Sequence, residues 1–117
     1  MSYPIRHTVD ITTATGGAGT GYLGPCRGVI NSIGYATGTL ATSADLTITM
    51  ETSKQAVLTA ADVAVGTQFR PVAAGTTTTG AASSLTEVPI YAADERVKIV
   101  IAQGGNTKTG TFYAVVV

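Results

Sequence analysis

The apolar residues of this chain recur in steps of two, and nowhere at the roughly 3.6-residue spacing of an amphipathic helix of ordinary length. Ile5 to Thr13 (IRHTVDITT) places Ile5, His7, Val9 and Ile11 on one face and Arg6, Thr8, Asp10 and Thr12 on the other. Asp45 to Glu51 (DLTITME) does the same with Leu46, Ile48 and Met50 against Thr47, Thr49 and Glu51. This is the pattern of a half-buried strand, in which successive side chains point to opposite faces. Tyr22 to Ala36 is apolar and broken by Gly24-Pro25, Gly28 and Gly34, which predicts one or two bent strands with Val29, Ile33 and Tyr35 inward. Further short strands are expected over Gln55 to Leu58, Thr67 to Val72 and Leu85 to Tyr91, the last interrupted by Pro89 and so placed at a sheet edge. Thr59 to Val65 is the one place where a helical turn is expected, with Thr59 as its N-cap. Ala73 to Ser84 (AAGTTTTGAASS) is low in complexity and polar and reads as a loop. Short strands punctuated by glycine and proline argue for a single all-β domain over residues 1–117, a β-sandwich or barrel of jelly-roll-like type, with an N-terminal arm over 1–5.

The stretch GGNTKTGTF, Gly104 to Phe112, brings a phosphate-binding loop to mind. Such a loop needs its lysine directly after the second glycine, where it reaches the outer phosphates, and a helix after it. Here Lys108 comes two residues before Gly110, and the flanks are strand-like: Arg96 to Gln103 before, Thr109 to Val117 after. The expected structure is a C-terminal β-hairpin. Gly19 to Gly24 (GTGYLG) matches GxGxxG to the letter, but Pro25, Cys26, Arg27 and Gly28 follow where a helix would have to start. It reads as a turning, glycine-rich loop.

No catalytic constellation assembles. The one histidine, His7, and its neighbour Asp10 fall on opposite faces of a strand. No serine sits in a GxSxG elbow. Asp10, Asp45, Glu51, Asp62, Glu87, Asp94 and Glu95 are scattered, and the adjacent Asp94 and Glu95 are expected to set the start of a strand. One histidine and one cysteine exclude the usual zinc sites from this chain alone. Cys26 can form no internal disulfide and reads as a small packed hydrophobe. The reading is of a non-enzyme with no cofactor.

Charge narrows the partners. Charged residues are 12% of the 117, against about 25% in an average globular chain, and seven basic residues balance seven acidic ones. That gives no footprint for nucleic acid. No run approaches the roughly 20 apolar residues of a membrane helix, and Met1 to Asp10 lacks the apolar core of a signal peptide. A weakly charged, threonine-rich surface suits a protein that works inside an assembly, since net charge is what keeps free proteins apart.

Two segments carry a resemblance. Ala44 to Thr52 (ADLTITMET) and Ala93 to Phe112 (ADERVKIVIAQGGNTKTGTF) resemble small structural proteins of tailed bacteriophage virions, closest over the last quarter of the chain. Ser53 stands where such proteins often have glycine. The resemblance implies a cement or decoration protein on the outside of a capsid, assembled in the host bacterial cytoplasm. It also implies the major capsid protein as partner and self-association, often as a homotrimer. A tail-tube or head–tail connector subunit is the alternative. A glycan- or receptor-binding module comes third, disfavoured because it would want clustered exposed aromatics and the chain has five tyrosines, mostly in strands, and no tryptophan. Expected contacts are the arm Met1, Ser2, Tyr3, Pro4 and Ile5, the loop residues Thr76, Thr77, Thr78 and Thr79, and the tail Val115, Val116 and Val117.

Overall fold

The computed structural model describes residues 4–73, 78–81 and 88–117. These form nine strands: β1 (Ile5–Thr12), β2 (Gly19–Gly38), β3 (Asp45–Met50), β4 (Ala56–Ala60), β5 (Gln68–Phe69), β6 (Val72–Ala73), β7 (Val88–Pro89), β8 (Tyr91–Ala102) and β9 (Thr109–Val116). All ladders are antiparallel, and the fold is an all-β sandwich, as the period-two pattern requires. The principal ladder runs β1-β9-β2-β8-β3-β4, with β5 on β2; β6 and β7 pair separately.

The element that makes two layers from one ladder is β2. Its first half pairs with β8, from Gly19 opposite Ile101 to Val29 opposite Tyr91. Its second half pairs with β9, from Ile30 opposite Val116 to Gly38 opposite Gly110. Both ends of β2 therefore lie near the 103–108 connection, and the strand folds over between Val29 and Ile30. One layer holds β1, β9, β5 and the second half of β2; the other holds the first half of β2, β8, β3 and β4. Register shifts lie between Leu23 and Arg27, where the peptide bond of Gly24-Pro25 is cis.

The core lies between the layers. Ile11, Ile30, Ile33, Tyr35, Phe112, Ala114 and Val116 come from one, and Leu23, Val97, Ile99, Ile101, Leu46, Ile48 and Met50 from the other. Tyr35 and Phe112 face each other across the β2–β9 register and stack with centroids 5.0 Å apart. Such a pair contributes about 0.5–1.5 kcal/mol beyond its buried area. The Tyr35 hydroxyl accepts the Leu40 amide at 3.1 Å, so its polar end is satisfied inside the core.

Four expectations change. The strands flanking Gly104 to Lys108 exist, but they form no hairpin: β2 lies between β8 and β9, and the connection crosses from one layer to the other. Each strand has one fully buried row, Val97, Ile99 and Ile101 against Phe112, Ala114 and Val116, and each row is covered by the opposite layer. The connection turns through left-handed backbone at Gln103, Gly105 and Thr107. The GxGxxG stretch lies within β2, not in a loop. Its glycines bring this strand close to β1: a Cβ on Gly21 would lie 2.5 Å from Ile11 Cγ1. No helical turn forms over 59–65, because Thr59 pairs with Thr47 in β4 and Asp62 adopts φ 53°. Asp94 and Glu95 sit inside β8 at a bulge, not at a strand start. Pro89 does lie in a two-residue strand that pairs only with β6 among the described residues, as its missing N–H demands.

Candidate contact surface at the apolar pole

The sandwich has two unlike poles. At one, the connections are knitted by hydrogen bonds. Thr13, only 2% exposed, donates from Oγ1 to the Gly105 carbonyl at 2.6 Å and accepts the Lys108 amide at 2.8 Å. The Thr13 amide donates to the Lys108 carbonyl, and the Gly104 amide donates to Gly17. The GGNTKTGTF stretch is thus occupied in clamping the two layers together.

At the other pole the chain ends converge. Ile5 pairs with Val116. Val117 exchanges two backbone hydrogen bonds with Val29, at 3.0 and 2.9 Å. Val29 in turn pairs with Tyr91, and the Ile30 amide donates to Ile90. The approach at Val117 depends on Gly28, whose φ is 114° and where a Cβ would lie 2.5 Å from the Val117 carbonyl oxygen. Beside Val29 lies an open groove of about 200 Å³, lined by Val29, Ile30, Asn31, Arg70, Val72 and Pro89 among others. The Arg70 guanidinium donates to Asn31 Oδ1 at 2.9 Å on its wall.

Large apolar side chains are left in water here. Tyr91 is 64% exposed, Ile5 57%, Val72 51% and Val117 44%. Single exposed apolar residues are ordinary, but four gathered where both ends of the chain meet make a surface of the kind that marks protein contact.

The expected contact residues divide. Pro4, Ile5 and Val117 are exposed at this pole. Val115 is half-buried on the outer face, and Val116 is 2% exposed and belongs to the core, so its side chain offers no contact. Thr78 and Thr79 are exposed. Met1, Ser2, Tyr3, Thr76 and Thr77 lie outside the described residues, as do Leu85 to Glu87 and residues 74–75 and 82–84 of the expected loop. Tyr91 and Val72 were not expected as contacts from sequence, and Val29, expected inward with Ile33 and Tyr35, is instead half-buried on the groove wall. Their signal was that they stand at strand ends or at a fold in a strand, where alternation no longer means burial.

Elsewhere the polar groups serve the fold. Asp10 Oδ1 accepts from Thr111 Oγ1 at 2.7 Å, while His7 lies half-buried on the opposite face of β1. Glu95 Oε1 accepts the amides of Thr52 and Ser53 at 2.8 and 2.9 Å. The Ser53 amide above all holds its carboxyl below the ordinary range. Arg27 pairs with Asp94 at 2.9 Å, lowering the Asp94 pKa, with both side chains more than half exposed. Cys26 is fully buried, and burial pushes its thiol pKa up. Among the described residues no three His, Cys, Asp or Glu side chains gather as a metal site. The chain matches no protein-family model, no curated protein and no solved structure.

Proposed function

We propose that this chain is a virion structural protein of a tailed bacteriophage, a cement protein that lies on the capsid surface and bridges major capsid subunits. The observation that carries the reading is the apolar pole, where Ile5, Val72, Tyr91 and Val117 stand exposed around the converging chain ends. The low charge supports it, since a chain with 12% charged residues and no net charge suits permanent association. The mechanism is linkage. A rigid sandwich that binds the assembled shell and not separated subunits stabilises the shell by mass action, in proportion to its occupancy.

The experiment is a count of this chain per particle by quantitative mass spectrometry of purified virions, with and without the triple variant Ile5→Ser, Tyr91→Ser, Val117→Ser. Copies in the hundreds that disappear with the triple variant support the cement role. Copies in the tens move the protein to the tail tube or connector, and its absence from particles overturns the proposal.

A further inference from the structure

β1 is an edge strand of unusual regularity. All eight of its residues pair with β9 without a register shift, and no strand takes up its other edge among the described residues. Proline stands just outside it, at Pro4, and no bulge breaks it. An open ladder of this length is a template for another strand, and proteins commonly blunt such edges with a bulge, a lysine or a proline.

The residues of β1 also complement themselves. Read from either end, Ile5-Arg6-His7-Thr8-Val9-Asp10-Ile11 matches its own reverse in kind: Ile with Ile, Arg with Asp, His with Val, Thr with Thr. We propose that β1 pairs antiparallel with β1 of a second copy of this chain, about a two-fold axis at Thr8. In that register Arg6 faces Asp10 of the second copy, twice per pair, on the outer face. On the inner face Ile5 meets Ile11 and His7 meets Val9. Directly opposed residues of antiparallel strands share a face, and opposite charges there stabilise while like charges destabilise. A shift of two residues either way sets Arg6 and Asp10 opposite threonines or residues outside this set, so the charges fix the register.

The state of the inner row agrees. Ile11 is buried, but Val9 and His7 are half-buried and Ile5 is 57% exposed. A second β1 would cover this row as β9 covers the other side. The outer row is compatible with pairing. Arg6 lies over the Tyr113 ring, 4.3 Å from its centroid, a contact through the guanidinium face that leaves the N–H edge for a carboxylate. Thr111 engages one oxygen of Asp10, Oδ1.

The test is sedimentation equilibrium of the full chain. A species of twice 11.8 kDa is expected; a monomer or a trimer at all concentrations overturns the pairing. Arg6→Asp and Asp10→Arg, each alone, should weaken self-association about tenfold, because two attractive pairs become repulsive. The double variant should recover it, although both intrachain contacts of these residues are lost. Recovery absent in a double variant that melts like the parent also overturns the register. A cysteine scan gives an independent readout: Thr8→Cys should crosslink to itself under mild oxidation and Thr12→Cys should not. A crosslink at 12 and not at 8 rejects the axis at Thr8. Ile5 belongs to both surfaces, but the tests turn on Arg6, Thr8, Asp10 and Thr12, which lie outside the apolar pole, so they can fail while the capsid reading stands.

Discussion

Cys26 shows how one residue can be reactive in type and inert in place. Its Sγ contacts the Leu23 carbonyl at 3.7 Å, and burial raises the thiol pKa, so thiolate is scarce where a reagent would need it. Native protein at pH 8 should resist thiol–disulfide exchange with a water-soluble aromatic disulfide and react fully once unfolded by guanidinium; rapid labelling of the native form would contradict its burial. Glu95 is the opposite case, a half-buried surface residue with a structural task. Its carboxylate holds the Thr52 and Ser53 amides in the β3–β4 turn, the turn where serine stands at 53. The folded pKa is depressed, so the stabilisation is present above the ordinary glutamate range and is lost as pH falls through that range toward the folded value. Asp94, held down by Arg27, acts with the same sign. Glu95→Gln should therefore flatten the fall in urea midpoint between about pH 6 and pH 3 relative to the parent. An unchanged slope would remove Glu95 from the acid response.

At the level of elements, β2 decides the architecture. Gly21 lets its first half pass against β1: a side chain there would enter the space of Ile11 Cγ1 and Cδ1 and, at 3.3 Å, Val9 Cγ2. Gly21→Ala should cost about 1–3 kcal/mol, as overpacking does. Adding Ile11→Val, which removes the Cδ1 atom, should return part of the loss, so that the double variant is more stable than the sum of the singles. Additive losses in denaturant titrations would show that the two strands do not meet there. The same strand marks what could be read in advance. β1 and β3 were legible because each has one face in water and one in the core, and the period of two records that directly; β8 and β9 were legible as strands from their β-branched and aromatic residues. The course of β2 was only partly legible. A strand that changes layers leaves just its breaks in the sequence, Gly24-Pro25, Gly28 and Gly34, and these do not state which partner lies on either side. The β8–β9 pairing misled because a short connection rich in glycine, asparagine and threonine suits both a hairpin and a crossing between layers; the choice is made by Thr13 and Gly17, some ninety residues away. The apolar pole was legible where it lies near the chain ends, at Pro4, Ile5 and Val117, and hidden where it is made by Val72 and Tyr91, which only the fold brings beside them.

On the scale of the whole molecule, the proposed function puts stability and contact at opposite poles, and that division can be measured. At the knitted pole, Thr13 satisfies both the Gly105 carbonyl and the Lys108 amide while nearly fully buried. Thr13→Val keeps the shape and deletes the hydroxyl, leaving that amide and that carbonyl, both part-buried, each short of a partner, and should lower unfolding free energy by about 1 kcal/mol. At the apolar pole, Tyr91 has nearly two thirds of its surface in water, so its ring adds little to the folded state. Tyr91→Ser should change stability by no more than about 0.5 kcal/mol. Its effect belongs to association, where an aromatic side chain of this exposure is the type of residue that dominates a contact. Urea titrations of the two variants, set beside their retention on purified particles, should thus separate: Thr13→Val destabilised yet retained when folded, Tyr91→Ser stable yet released. A Tyr91→Ser protein that unfolds as readily as Thr13→Val would mean that the pole is part of the core after all. A stable Tyr91→Ser protein that is fully retained would place the contact on another face.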